Sequence, residues 1–332
     1  MNRSADHASP APPDRTFLGL RPVVGGSVCC AVSALGYTGA SICMRQLVDL
    51  NCHPIWAVAN KEVVTVLVVG PWLLWRMFRR LPVFPSGRAL AVLIGVSLAV
   101  QLGANLGLQW SFDVVGLAVA VPAVFGIMLT ASAVLGWVLL GERVSRRSAA
   151  AIGVLLVSLI FLGLAATAAG KLGGATDRWT VILGIGVPCL AGAIYAMLSI
   201  TIRRTVTGAT PIAAIVFVTT SVGVLTLGPL SFYSVETDVL WKMWSEGYVW
   251  MLAAGTLNLI AFLAITKGLE LTTAVHVNVL NASQVAMAAI AGMLIFHEPR
   301  TGWLIIGVCW TIGGIVLFGQ PEHDDREADR HV

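Results

Sequence analysis

The chain has 332 residues, of which 57% are hydrophobic and only 11% are charged, whereas soluble domains carry about 25% charged residues. Its mean hydropathy is +0.84, and apolar runs of about 20 residues, the length of a helix that crosses a bilayer, recur along the sequence. These values exclude a soluble enzyme, a disordered chain and a nucleic-acid-binding protein. The net charge of +4 needs no anionic partner, because membrane proteins concentrate basic residues on their cytoplasmic side.

The apolar runs predict an all-α polytopic membrane protein with ten transmembrane helices. The first five run approximately over Val23–Met44, Ile55–Phe78, Ala89–Trp110, Val115–Leu140 and Ser148–Ala168. The second five run approximately over Trp179–Ile202, Pro211–Leu230, Tyr248–Thr266, Thr272–Phe296 and Thr301–Gly319. The connections around Asp113 and Glu270 are so short that the flanking helices must form antiparallel hairpins. The stretch 231–247 is predicted as a loop with room for an interfacial turn.

Basic residues are distributed unevenly between the predicted loops. When the N-terminus is placed inside, most of the 21 Lys and Arg residues lie on the cytoplasmic side, as the positive-inside rule requires. This orientation predicts a cell (inner) membrane protein with cytoplasmic tails at residues 1–20 and 320–332. The apolar run after the first tail is too long for the core of a signal peptide, so no cleaved signal is expected.

The two halves of the chain resemble each other weakly and in register. Equivalent residues recur about 157 positions apart, as in the pairs Gln101 and Asn258, Asp113 and Glu270, and Glu142 and Glu298. The repeat predicts one five-helix unit at residues 21–168 and a second at residues 179–319. Because five is an odd number, the two units must be inverted relative to each other. Many secondary transporters are built this way, with a substrate site near the midplane between the units.

Two five-helix halves, each with a short charged hairpin and a Leu-Gly-Glu-like stop before its last helix, resemble the EamA type of the drug/metabolite transporter superfamily. The best local matches are the segments 138–143 (Val-Leu-Leu-Gly-Glu-Arg) and 294–298 (Leu-Ile-Phe-His-Glu). The resemblance implies a transporter rather than an enzyme, with export of an amino acid or a similar metabolite as the leading expectation. The chain departs from the family pattern in the ninth helix, which has no proline and carries Asn281, Ser283 and Gln284 instead.

Polar residues inside the apolar segments indicate where a substrate could bind, since such residues usually face the bundle interior or an aqueous cavity. On the third helix Ser97, Gln101, Asn105 and Gln109 repeat every four residues, so they share one helical face. This stripe either forms a cavity wall or makes hydrogen bonds that hold neighbouring helices together. The remaining predicted hydrogen-bonding residues are Tyr37, Tyr195, Asn258, His276, Asn281 and Gln284.

Lys61 and Glu62 form the charged pair that lies well inside an apolar segment. Lys61 could bind a substrate anion or extend to the outer interface, and Glu62 could bind an amine. Adjacent helical residues point about 100° apart, so each is expected to find its own partner. Glu62 and His276 are the candidates for proton coupling, although a lone histidine is more often an ordinary hydrogen-bonding residue. Glu142 and Glu298 are expected to be structural, at the positive ends of the helices that follow them.

The sequence therefore predicts a secondary transporter that moves a small polar or amphipathic metabolite by alternating access. A lipid flippase and a non-transporting membrane partner protein are the alternatives. No catalytic motif, metal-binding spacing or phosphate-binding loop occurs, so no enzyme activity, cofactor or metal is expected. The expected partners are a small-molecule substrate and the lipid bilayer, a homodimer is left open, and no nucleic acid is expected.

Overall fold

The computed structural model describes residues 22–81, 83–140, 146–168, 178–206, 211–271, 277 and 280–319. In these ranges the regular structure is helical. The first helices are α1 (Pro22–Asp49), α2 (Pro54–Phe78), α3 (Gly87–Val114), α4 (Leu117–Leu140) and α5 (Arg146–Ala168). They are followed by α6 (Arg178–Val206), α7 (Ile212–Ser234), α8 (Thr237–Leu271), α9 (Gln284–Leu294) and α10 (Gly302–Gly319). Seven of them, α1 to α4 and α6 to α8, are long and apolar enough to cross a membrane.

The core lies where helices of the first half pack on helices of the second half. The most extensive contacts join α1 with α8, α5 with α10, α4 with α6, and α2 with α7. Their shared core includes Leu47, Leu117, Leu129, Leu162 and Met251, each essentially inaccessible to solvent. The two halves are therefore interlocked through a shared apolar core.

Small residues allow the closest of these helix contacts, as in other membrane bundles. Gly103 and Gly107 of α3 form a Gly-x-x-x-Gly pattern that packs on α6 in this way. Cβ atoms at these positions would lie 3.0 Å from Ile194 and 2.5 Å from Val187. On α6 itself, a Cβ at Gly192 would collide with the backbone carbonyl of Val124 on α4. Glycines thus let the helices approach closely, against side chains of α6 in two cases and against the backbone of α4 in the third.

Gly192→Ala is expected to destabilise the protein by about 1–3 kcal/mol, because the added methyl group must push α4 and α6 apart. The matched control is Gly186→Ala on the same helix, where a Cβ meets nothing within 4 Å. That control should be neutral or more stable by up to about 1 kcal/mol, the difference in helix propensity. Unfolding of both variants in detergent measures this, and equal stabilities would contradict the packing described for α4 and α6.

The prediction of a loop at residues 231–247 is wrong, because α8 begins at Thr237 rather than at Tyr248. Charged residues interrupt the apolar run there, but Leu240, Trp244, Gly247 and Met251 follow a helical period and pack inward. A Cβ at Gly247 would lie 2.9 Å from the side chain of Leu47 on α1. Packing against α1 therefore extends the helix outward beyond its apolar stretch.

The continuous ninth helix predicted over Thr272–Phe296 is also wrong. A turn at Ala282–Ser283 interrupts it, and α9 begins only at Gln284. The Ser283 hydroxyl donates to the carbonyl oxygen of Leu280 at 2.8 Å, the kind of local bond by which serine competes with helical backbone bonding. The break lies between Asn281 and Gln284, two of the predicted site residues, and both are buried.

A second irregularity interrupts α3, whose residues Val100–Asn105 form a π-helical segment. Such segments are rare and often lie at functional sites. This one contains Gln101 and Asn105. The polar stripe predicted on the third helix thus coincides with locally altered helix geometry.

Candidate functional site

A central cavity of about 200 Å³ lies between the two halves. Every predicted site residue that the structure describes lines it. These are Tyr37, Lys61, Glu62, Gln101, Asn105, Tyr195, Asn258, Asn281 and Gln284. His276 lies outside the described residues. The stripe of α3 is therefore at least in part a cavity wall, with Gln109 also contributing to the lining.

Asn105 is the centre of the hydrogen-bond network in the cavity. Its side-chain amide donates to Gln101 Oε1 at 2.7 Å and to Glu62 Oε1 at 3.4 Å. Its carbonyl oxygen accepts from the Tyr195 hydroxyl at 2.6 Å. One amide thus links α2, α3 and α6, and its position determines how these walls are arranged.

Gln101 extends the network to α7. It is 1% exposed and donates from Nε2 to the backbone carbonyl of Thr219 at 3.0 Å. A Cβ at Gly223 would lie 2.7 Å from the Gln101 side chain, so only glycine leaves room for it. The sequence-based prediction missed Thr219. The polar run Thr219, Thr220 and Ser221 interrupts an otherwise apolar helix, and this interruption could have indicated it.

Lys61 and Glu62 contact each other, contrary to the expectation that each finds a separate partner. Lys61 Nζ lies 3.1 Å from Glu62 Oε1, and the side chains are 10% and 2% exposed. The flexible stem of lysine lets its ammonium group turn back toward the neighbouring carboxylate despite the 100° between their Cβ directions. Lys61 therefore does not extend to the outer interface. The pair contributes no net charge to the cavity.

Three buried polar atoms of the cavity lining have no hydrogen-bond partner among the residues that the structure describes. They are Glu62 Oε2 and Gln109 Oε1, which accept, and Gln284 Nε2, which donates. Buried polar atoms are normally paired, so these three residues of the cavity lining carry unused bonding capacity. By contrast, the Asn281 carbonyl oxygen is already used, accepting from the Ser33 hydroxyl at 3.1 Å.

Most of the remaining lining is apolar and comes from several helices. It includes Met44, Phe112, Val121, Phe125, Met128 and Phe262. These residues face the same space as the amides and the ion pair. The cavity is therefore suited to a small ligand with both polar groups and an apolar part.

Glu298 lies away from the cavity lining and caps a helix, although not the helix that follows it. Its carboxylate accepts from the backbone N–H groups of Leu117 and Ala118 at 2.8 and 2.9 Å, at the start of α4. Arg45 Nε lies 3.8 Å from Glu298 Oε1, and Arg45 is also paired with Asp49. The expectation of a structural carboxylate at the positive end of a helix holds, but the helix belongs to the other half. Glu142 lies outside the described residues.

Residues 181–320 match the family model described as the EamA-like transporter family. No curated protein matches the chain at a significant level. Chains of solved structures do match, 28 in number. One of them, described only as the crystal structure of a protein, is 13% identical, covers 89% of this chain and 96% of its own length, and has a TM-score of 0.58. At this identity the likeness concerns the fold alone.

The apolar helices and the family match together make the chain a multi-pass membrane protein. The family groups transporters rather than enzymes, and it suggests a membrane transporter of the drug/metabolite type. As the resemblance in the sequence predicted, residues 181–320 match the EamA-like transporter family, which is part of the drug/metabolite transporter superfamily.

Proposed function

We propose that the protein is a secondary transporter that carries a small polar or amphipathic metabolite, with an amino acid as the leading candidate, through the central cavity. The observation that carries this proposal is a cavity lining that contains both a buried ion pair and three polar atoms without a partner among the described residues. Glu62 Oε2 and Gln109 Oε1 offer acceptors, and Gln284 Nε2 offers a donor. A zwitterion can satisfy both kinds of group at once, with its ammonium on the acceptors and its carboxylate on the donor.

The size of the cavity favours a small metabolite over a lipid. Drug-sized ligands occupy pockets of about 300–1,000 Å³, and the cavity here measures about 200 Å³. The buried Lys61–Glu62 pair also favours a substrate without a large net charge. A phosphorylated substrate would leave excess negative charge in a low-dielectric interior, which is costly.

Alternating access is supported by the way the two halves pack. Under the predicted inverted repeat, helices 2 and 7, 4 and 9, and 5 and 10 are equivalent, and each of these pairs is in contact. The contact of α1 with α8 has its counterpart in the contact of α6 with α3. We infer ten transmembrane helices in two inverted five-helix repeats, at residues 21–168 and 179–319, that rock around the cavity.

The proposal includes export across the inner membrane with both termini in the cytoplasm, on the distribution of basic residues given above. Glu62 is the proposed proton-coupling residue among those described, because it lines the cavity and one oxygen of its buried carboxylate has no partner in the described part of the chain. A substrate ammonium and a proton would then compete for the same group.

Counterflow in proteoliposomes tests the function. Vesicles are preloaded with pooled amino acids, nucleobases or phosphorylated sugars, and labelled members of each pool are then offered outside. We expect accumulation with the amino-acid pool and none with phosphorylated sugars. If folded protein gives no counterflow with any pool, metabolite transport is contradicted. Scrambling of labelled phospholipid in the same vesicles would then support a flippase instead.

A further inference from the structure

The Glu298 carboxylate joins the two halves of the protein at one place. It is 5% exposed and accepts both backbone N–H groups at the start of α4, although it belongs to the α9–α10 connection. Hydrogen bonds to an ionised acceptor are roughly twice as strong as neutral ones, and the positive end of a helix favours a negative charge. This contact is therefore a strong tie between elements that are distant in the sequence.

The surroundings of the carboxylate are shaped to hold it. A Cβ at Gly116 would lie 2.6 Å from Glu298 Oε1, and one at Gly292 would lie 2.5 Å from Oε2. Gly116 also has φ of +81°, a backbone conformation that side-chain-bearing residues rarely adopt. Arg45 of α1 completes the cluster, with its guanidinium group 5.3 Å from the centre of the Phe296 ring.

Residues that contact the Glu298 carboxylate are close in sequence to residues that line the cavity. Val121 is one turn beyond Leu117 on α4 and lines the cavity, as does Met44, which precedes Arg45 on α1. The carboxylate thus holds together the ends of cavity walls from α1 and α4 and fastens them to the α9–α10 connection. If the two halves rock relative to each other, a contact at this end must break for the cavity to open here.

We propose that Glu298 is a latch that keeps this end of the cavity closed, and that its bonds to Leu117 and Ala118 break when the transporter opens to that side. The inference rests on the proposed alternating-access function and adds the residue that sets the balance between the two open states. Glu298 is a positioning residue in this account, since it does not line the cavity.

Accessibility of an introduced cysteine tests the latch without a substrate. Val121→Cys places a thiol in the cavity wall, and a membrane-impermeant charged thiol reagent is added to either side of oriented vesicles. Adding Glu298→Gln should raise the labelling rate at least tenfold from the side that carries Glu298 and lower it from the opposite side. The glutamine lacks the charge and points an N–H group at a backbone N–H group.

Several controls make the reading specific. Glu270→Gln removes a carboxylate from a partly exposed pair with Lys267, and it should leave both rates unchanged. Protein without the introduced cysteine gives the background. The buried native Cys52 adds little to it, because burial raises the pKa of its thiol to about 12 and so keeps it protonated. If Glu298→Gln does not fold, Glu298→Asp retains the charge with a shorter reach and should shift both rates in the same directions by a smaller factor.

The latch is overturned if the rates stay unchanged, or if they rise from both sides, which would indicate a loosened fold. This readout separates the latch from the proposed function. If the labelling rate rises from one side and falls from the other in a protein that shows no counterflow, the latch is supported and metabolite transport is contradicted. Counterflow with unchanged labelling rates would support metabolite transport and contradict the latch.

Discussion

Asn105→Leu is expected to reduce substrate-driven counterflow at least tenfold while leaving the helical fold intact. Leucine has a similar volume, but it removes the amide that binds Gln101, Glu62 and Tyr195. Each lost hydrogen-bond partner costs about 1–3 kcal/mol at a buried site, and about 1.4 kcal/mol is a tenfold change in an equilibrium constant. The loss should appear in transport because the walls that present the polar groups are no longer held in register.

The matched control for this variant is Asn60→Leu. Asn60 is also a partly buried asparagine on a membrane helix, but among the described residues its side chain bonds only locally, to the carbonyl oxygen of Trp56. It does not line the cavity. Counterflow by the control should stay within a factor of two or so of the wild type, because local bonds of this kind contribute little. Equal losses in the two variants would argue against Asn105 as the centre of the site.

The second large effect concerns the ion pair. Lys61→Met and Glu62→Gln, made singly, are each expected to destabilise the protein by about 3–5 kcal/mol, because each leaves an uncompensated charge in a buried site. The double variant should recover most of this stability, since both charges are removed. The double variant should nevertheless show no counterflow if Glu62 receives the substrate ammonium or a proton.

Unfolding in detergent and counterflow, measured on all three variants, check this pattern. A single variant as stable as the wild type would show that the charges are not buried against each other as described. A double variant that is stable and also transports normally would remove Lys61 and Glu62 from the site, while the amide network would remain.

The helices and most of the site could be predicted because each rests on a local signal. An apolar run of about 20 residues is read directly as a membrane helix, and amides at four-residue spacing identify a common face whatever that face contacts. This spacing identified Gln101 and Asn105, and the internal repeat identified Asn258 as the partner of Gln101; all three line one cavity. The tyrosines on α1 and α6 followed from the same reasoning.

The features that were missed depend on contacts between distant residues. The start of α8 depends on packing against Leu47, which the charged residues of that stretch conceal. The pairing of Lys61 with Glu62 depends on where a flexible side chain finds a low-energy position, and Cβ directions alone do not give that. Glu298 was correctly expected at a helix end, but only the fold reveals that the helix is α4.

Ligand-dependent stabilisation of the wild type and of Asn105→Leu tests most directly whether the central cavity holds the substrate. Any compound that drives counterflow is added at about 100 times its dissociation constant, where binding to the native state alone contributes about 2.7 kcal/mol. We predict a clear rise in the unfolding temperature of the wild type and of Asn60→Leu, and a rise of about half that size or less for Asn105→Leu, since tenfold weaker binding lowers the stabilisation to about 1.4 kcal/mol. The same rise in all three proteins would mean that the substrate binds elsewhere and would contradict the cavity as its site.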